Sequence, residues 1–324
     1  MTTQAQPGVL VTGASGYVGK LTVAALAERR DELGALVALD VVDVPAAQRL
    51  EGVTYVAADI CDAALGDLMK SHEVTTVVHL ASIIRVPKGA PADLAWRVDV
   101  EGTRNVLEAC RDAGATRLIV TSSGAAYGYY PDNPEWIDED DALRGNEDFP
   151  YAHHKKVVEQ MLAQWREQLP GLEQVIFRPG TVIGESVHSP ITDLFEKRAV
   201  IGIAGSRSPF VFIWDQDVVD CLIAAVFGGP TGIYNLAGDG AMSPQQIATR
   251  LGKPYLPLPA PLVGAVLFLL KSIGLTEHGP ERVKFLRYRP VLKNDRLKER
   301  FGFVPAKTSL EAFELYARAR GLLA

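Results

Sequence analysis

The stretch Val-Leu-Val-Thr-Gly-Ala-Ser-Gly-Tyr-Val-Gly-Lys at residues 9–20 constrains the fold more than any other part of the chain. An apolar run ends at Thr12, and Gly13, Gly16 and Gly19 follow at three-residue spacing before a helix-forming segment. A turn of this kind lets backbone N–H groups approach a pyrophosphate closely, and the positive end of the following helix favours its charge. Glycines serve ordinary turns too, so the meaning lies in the placement between a strand and a helix. The candidate phosphate-binding residues are Gly13, Ser15, Gly16, Tyr17, Val18 and Gly19.

The first half of the chain repeats that alternation. Residues 9–12, 36–39, 54–57, 76–80 and 118–121 are short runs rich in Val, Ile and Leu, as expected of strands buried on both faces. Helical patterns lie between them near 17–30, 62–71, 91–113 and 150–169. In the third of these, Leu94, Val98, Val106, Leu107 and Cys110 keep helical spacing. A further strand is predicted at 174–177. Strand–helix alternation implies an α/β fold, a doubly wound parallel sheet covered by helices on both faces. Beyond Arg178-Pro179-Gly180 the elements shorten and Pro and Gly become frequent, which suggests a smaller C-terminal substrate-binding lobe. The expected division is a nucleotide-binding domain over 1–180, rejoined by a helix near 217–227, and the lobe over 181–324. A closing helix is predicted at 310–320.

The strand at 36–39 is followed by Asp40, placed to accept hydrogen bonds from both adenosine ribose hydroxyls and to repel a 2′-phosphate. Val41 and Val42 stand where an NADP enzyme often carries arginine, so NAD is the expected cofactor. The competing reading is a solvent-facing Asp at a strand end, with Asp43 as the rival carboxylate. Asp59 and Ile60, just past the third strand, are candidates to meet the adenine, a helix cap being the plain alternative for Asp59.

Tyr151 and Lys155 are four residues apart on a predicted helix and so share one face. The ammonium favours the phenolate electrostatically and makes Tyr151 a usable general acid/base near neutral pH. The Thr-Ser-Ser-Gly-Ala-Ala-Tyr-Gly segment at 121–128 precedes that helix and brings Ser123 to the sheet's carboxyl edge, where its hydroxyl can hold a substrate oxygen.

Together these motifs resemble the extended short-chain dehydrogenase/reductase family, also called the NAD-dependent epimerase/dehydratase family. The resemblance runs through Thr-Gly-x-x-Gly-x-x-Gly at 12–19, Asp40, Asp59-Ile60, His-Leu-Ala-Ser at 79–82 and Asp-Val-Glu-Gly-Thr at 99–103. It continues through Ser-Ser-x-x-x-Tyr-Gly at 122–128, Tyr151/Lys155, Arg-Pro-Gly at 178–180 and the closing segment at 294–305. It implies a Rossmann-type NAD-binding domain, a Ser123–Tyr151–Lys155 site, and a homodimer formed through the helices near 91–113 and 150–169. It also adds Leu80, Ala81, Ser82, Asp99, Tyr151, Lys155 and Pro179 to the residues expected at the cofactor.

Departures from the family pattern narrow the activity. Gly124-Ala125 replace the Asp-Glu pair of dehydratases, and Thr181 stands where nucleotide-sugar enzymes usually have Asn. Phe210 occupies a position that commonly holds Arg, and Asp99 replaces a more usual Asn. The first expectation is therefore an NAD-dependent dehydrogenase or reductase of a small-molecule secondary alcohol or ketone, with a fairly apolar substrate. The alternatives are a nucleotide-sugar epimerase with retained NAD, in which Arg287 and Arg289 supply phosphate contacts, and a non-catalytic NAD-sensing protein.

Composition adds exclusions. A formal net charge of −6 over 324 residues gives no global attraction for nucleic acid or anionic membrane. One basic cluster, Arg282, Lys284, Arg287, Arg289 and Lys293, reads as a solvated helix and turn or as a site for an anionic substrate group. The three cysteines, Cys61, Cys110 and Cys221, form no metal or disulfide pattern and fit a reduced cytoplasmic chain, and the six histidines show no ligand spacing. Residues 1–8 lack a secretion-signal pattern. The most apolar stretch, 257–270, contains three prolines and falls short of the ~20 residues of a membrane span, so a buried or pocket-covering helix is expected there.

Overall fold

In the computed structural model, residues 6–87, 89–273, 279–280 and 282–323 are described. The chain forms two compact units. The first comprises residues 1–123, 154–178 and 218–234, and the second 124–153, 179–217 and 235–324.

The first unit carries the central sheet. Its strands are β1 (Val9–Thr12), β2 (Leu36–Asp40), β3 (Thr54–Ala57), β4 (Thr76–His79), β5 (Arg117–Thr121) and β6 (Glu173–Pro179). With β10 (Gly232–Leu236) they form seven strands in the order β10-β6-β5-β4-β1-β2-β3, and β1 to β6 pair in parallel. The order reverses at β1, between β4 and β2, and such a switch point opens a crevice at the strands' carboxyl ends. Every residue of β1 and β4 is buried, so both faces of the sheet are covered. Strands of this kind show as unbroken apolar runs, which is why they were readable.

Helices α1 (Tyr17–Ala27), α2 (Leu65–Ser71), α3 (Leu94–Trp96), α4 (Thr103–Ala113) and α5 (Pro150–Gln168) belong wholly or largely to this unit. The helix expected across 91–113 is interrupted: a π-helical turn at Arg97–Gly102 joins α3 to α4. Such turns displace one residue outward from the helical ladder, and this one carries Asp99. The core cluster joins Leu10, Val37, Val77 and Leu118 of the sheet to Val106, Leu107 and Cys110 of α4 and to Val158 and Leu162 of α5.

The second unit contains two short parallel pairs. Strand β7 (Thr181–Ile183) pairs with β9 (Phe212–Trp214), and β8 (Val200–Ile203) with β11 (Tyr255–Leu258). Helix α6 (Thr192–Glu196) is short, and α7 (Asp215–Val226) starts in this unit and continues into the first. Helices α8 (Pro244–Arg250), α9 (Ala260–Ser272), α10 (Arg282–Arg287) and α11 (Ser309–Ala319) complete it. Helices α8 and α11 each begin with a full capping box, Ser243 with Gln246 and Thr308 with Glu311. Phe195, Phe212, Phe313 and Tyr316, all fully buried, make its aromatic core.

Of the two alternatives expected within 257–270, the buried helix is corrected. Helix α9 has no buried residue, and Phe268 and Leu269 are 65% and 60% exposed. Its apolar residues occur on every face, so no polar stripe distinguishes an outer side, and hydropathy alone cannot say which residues find a partner. No helix among the described residues is long and apolar enough to cross a membrane. The sequence expectation for residues 1–5 lies outside the described residues.

Candidate active site

The glycine turn follows β1 directly. Gly13 has φ +69°, and a side chain there would put its Cβ 2.6 Å from the Ala81 amide nitrogen. At Gly19, on α1, a Cβ would lie 2.1 Å from the Gly13 carbonyl oxygen. Only hydrogen fits at either position, so the turn packs directly against the start of its own helix. Tyr17 and Val18 open α1, beyond Gly16 at its N-cap.

Asp40 ends β2 and is turned back on this turn. Its Oδ2 accepts from the Ser15 amide at 2.9 Å and its Oδ1 from the Val42 amide at 3.0 Å. Each oxygen keeps a second lone pair for a ribose hydroxyl. Ala14, Ser15, Asp40, Val42 and Tyr55 line a shallow cleft here. Asp59 is further removed in character: its Oδ1 caps the Cys61 amide at 2.9 Å, and Arg97 approaches its Oδ2 at 3.4 Å. Ile60 is buried in the core, and its side chain is the one a Cβ at Gly102 would strike. Only the backbone of Ile60 is therefore available to a ligand.

Behind the turn lies a buried polar relay. His79, at the end of β4, shares a hydrogen bond with Thr12 Oγ1 at 2.7 Å through Nδ1 and with Thr103 Oγ1 at 3.0 Å through Nε2. Burial pushes the imidazole down to about 3, and the nearby Lys155 charge adds to this, so His79 is neutral. Leu80, Ala81 and Ser82 follow it. The Ser82 hydroxyl donates to Asp99 Oδ1 at 2.8 Å, and the Ile83 amide donates to the same oxygen at 2.9 Å.

Asp99 is thus a hub. Its Oδ2 lies 3.0 Å from His154 Nδ1, and the pair is almost wholly enclosed. Burial raises the carboxyl, but the His154 hydrogen bond, the Lys155 charge and the two donors outweigh it, and its pKa falls below the ordinary value. The π-helical turn aims this carboxylate at the β4 end, and His154 supplies the contact from α5. Sequence reasoning set His153 and His154 aside because they make no metal site. The missed signal was that the unusual Asp99 needed a donor.

Helix α5 begins at Pro150, so Tyr151 lies in its first turn and Lys155 one turn later. Tyr151 packs against a small cluster of Ala125, Tyr129 and Ala152. Lys155 is buried, and its Nζ donates to the Thr121 carbonyl at 3.3 Å, which ties it to the end of β5. Ser123 follows two residues after Thr121, at the last position of the first unit. Pro179 is the last residue of β6.

One charged residue on this helix escaped the sequence reading. Glu159 continues the row Tyr151, Lys155, Glu159 at four-residue steps. It is buried against Arg178, whose Nη2 donates to Glu159 Oε2 at 2.6 Å and whose Nε donates to Oε1 at 2.9 Å. The Ser122 hydroxyl donates to the same carboxylate. The pair fixes α5 to β6, and hence the height of Lys155 along the sheet. Among the described residues no group of His, Cys, Asp or Glu is arranged to hold a metal ion.

Comparison with known proteins agrees with this fold. Residues 9–237 match the model of the NAD dependent epimerase/dehydratase family. An uncharacterized protein of Mycobacterium tuberculosis is 26% identical over 317 residues, 97% of this chain and 84% of that protein. A UDP-glucose 4-epimerase of Azospirillum brasilense is 30% identical over 230 residues, 67% of this chain and 63% of that enzyme. Among solved structures, the UDP-glucose 4-epimerase of Thermus thermophilus in complex with NAD superposes with a TM-score of 0.72 at 24% identity, covering 97% of this chain and 99% of that one.

Proposed function

The chain belongs to the NAD-dependent epimerase/dehydratase family, and from that premise we propose that it is an NAD-dependent dehydrogenase or reductase of a secondary alcohol and its ketone. The observation that carries this reading is α5, which sets Tyr151 one turn before a buried Lys155 whose ammonium is held on the Thr121 carbonyl. The glycine turn and Asp40 fit an NAD dinucleotide: the turn has no room for a side chain, and both carboxylate oxygens retain a lone pair. Bound NAD supplies the hydride acceptor or donor. Every other part of the reaction falls to side chains.

In the oxidation direction Tyr151 takes the alcohol proton on its phenol oxygen, and in reduction it returns one. Lys155, one turn on from Tyr151 and anchored to the Thr121 carbonyl, stays at a fixed height on α5. Ser123 contributes a hydroxyl to the substrate oxygen and orients the carbon that is oxidised. The Glu159–Arg178 pair and the Asp99–His154 pair position the helix that carries both groups.

The epimerase reading is favoured by the Azospirillum relative. Its discriminating property is cofactor retention, since an epimerase must keep NAD through oxidation and re-reduction of one carbon. The purified protein should lose NAD on dialysis if the dehydrogenase reading is right. Tyr151→Phe keeps the ring's packing and removes the exchangeable proton, so turnover should fall by roughly 10²–10⁴ while NAD binding persists. A Tyr151→Phe protein that folds, binds NAD and turns over normally would remove this tyrosine from the mechanism.

A further inference from the structure

Helix α9 turns an apolar row outward. Leu262, Val266 and Leu269, with Ile273 at its C-cap, follow one another at helical spacing and are 47–60% exposed. Phe268 lies on the same arc and is the most exposed of all. The far side of the helix is occupied by the protein itself. Val263, Leu267 and Leu270 are half-buried there, and Gly264 faces Val283 of α10. Just ahead of the helix, Leu256 of β11 and its register partner Ile201 of β8 are exposed as well. Apolar residues scattered singly over a surface need no explanation, but a contiguous row on one helix marks an interaction site.

Two properties select the occupant. The first is length. Thirteen residues make a helix about 20 Å long, well short of the ~30 Å hydrocarbon core of a bilayer, so α9 can lie along a membrane surface but not through it. A free surface helix needs a polar back to face water, whereas here the back is packed against the fold.

The second property is charge. Residues 260–293 hold Lys271, Arg282, Lys284, Arg287, Arg289 and Lys293 against Glu277 and Glu281, a formal +4 in a chain whose net charge is −6. Lys271 stands in the last turn of α9, and α10 begins with Arg282 and carries Lys284 and Arg287. Lys284 meets Asp148 at 2.6 Å, but both side chains are exposed, and a pair of that kind holds weakly. Apolar side chains bordered by lysine and arginine suit an anionic lipid surface, whose acyl boundary takes the former and whose phosphates take the latter. A second copy of the chain fits this face less well. An isologous contact would set the same basic segment against itself, and like charges oppose each other there.

We propose that α9 is a peripheral docking helix for an anionic lipid bilayer, with Phe268 and Leu269 inserted at the acyl boundary and Lys271 and Lys284 at the headgroup phosphates. This inference is independent of the hydride-transfer reading, since none of these residues takes part in that chemistry.

Co-sedimentation of the full chain with lipid vesicles tests it. We expect binding to phosphatidylcholine vesicles containing about 30% phosphatidylglycerol, and at least tenfold weaker binding to phosphatidylcholine alone. Phe268→Gln combined with Leu269→Gln alters only exposed positions, so the melting temperature should hold while binding falls at least tenfold. Lys271→Gln combined with Lys284→Gln should weaken binding to the mixed vesicles several-fold. Phe268→Trp places a fluorophore on the row. Its emission should shift to the blue and be quenched by brominated acyl chains, beyond any change in the native tryptophans of the wild type.

The proposal falls if the mixed vesicles leave the protein in solution, if binding survives the two glutamines, or if phosphatidylcholine alone is bound equally well. It falls too if the wild type is an oligomer that the glutamine pair dissociates, because the row is then the seat of a second copy. Should the glutamine pair fail to fold, Phe268→Trp decides alone: quenching beyond that of the wild type supports docking, and its absence overturns it.

Discussion

His79 should make this protein acid-sensitive in a measurable window. The imidazole is fully enclosed between Thr12 and Thr103, and its pKa in the folded protein is pushed down to about 3 by burial. In the unfolded chain it returns to ~6.5. The folded state therefore refuses a proton that the unfolded state accepts at any pH between those values. Stability rises with pH wherever the unfolded state binds more protons, so His79 contributes fully above pH ~6.5 and loses that contribution as pH falls toward ~3. At ~1.4 kcal/mol per unit of pH, and allowing for the partly protonated unfolded state near pH 6, the loss between pH 6 and pH 4 is ~2.5 kcal/mol. A native value one unit higher would reduce it only to ~2 kcal/mol. Carboxylates titrate in the same range, so the assay must isolate His79. Urea unfolding of wild type and His79→Gln at pH 6, 5 and 4 does this, since glutamine keeps a donor and an acceptor but takes no proton. The wild type should lose its advantage over the variant as pH falls, by ~2.5 kcal/mol across the range. Two stability curves that stay parallel would refute the argument, as would an NMR titration of the His79 ring above pH 5.

Three other outcomes follow from residues around the cofactor turn. NAD should bind at least tenfold more tightly than NADP, a difference of about 1.4 kcal/mol, and Asp40→Ser should narrow that gap; calorimetry with both nucleotides measures it. Gly19→Ala forces a methyl to within 2.1 Å of the Gly13 carbonyl, so the turn must shift and NAD affinity should fall more than tenfold, read in the same calorimeter. Glu159→Ala leaves Arg178 buried without its carboxylate and should cost about 3–5 kcal/mol of unfolding free energy in urea titrations. A loss below ~1 kcal/mol would mean that water or rearrangement already satisfies the arginine.

The sheet and the cofactor turn were legible because their physics is local. A strand buried on both faces can hold only apolar side chains, and a helix that starts against a phosphate needs glycine at fixed offsets. Strand β10 was not legible for the opposite reason. Its sequence Gly-Ile-Tyr-Asn-Leu places Asn235 in a fully buried position, and a polar residue there reads as a turn. What permits it is distant: Tyr127 donates to its Oδ1, and its Nδ2 donates to the Ile137 carbonyl. Helix α9 failed differently, since apolar composition records a capacity for burial and not the presence of a partner.

The departures from the family pattern gain sense only in pairs. Asp99 read alone was a puzzle, and His154 read alone was one of two adjacent histidines; at 3.0 Å they form a closed polar unit behind Lys155. Phe210 read alone was a lost arginine, and Arg289 read alone was one cation of five; together they form a stacked seat at 3.6 Å. The two pairs differ in their electrostatics. In the first, carboxylate and imidazole answer each other, and Ser82 and Ile83 donate to the other carboxylate oxygen. In the second, the rings of Phe210 and Phe285 hold the guanidinium and Ser208 accepts from its Nη1. Mutual pairing of the first kind marks Asp99 and His154 as groups that hold α5 in place, because a fold gains nothing from leaving a buried charge unpaired.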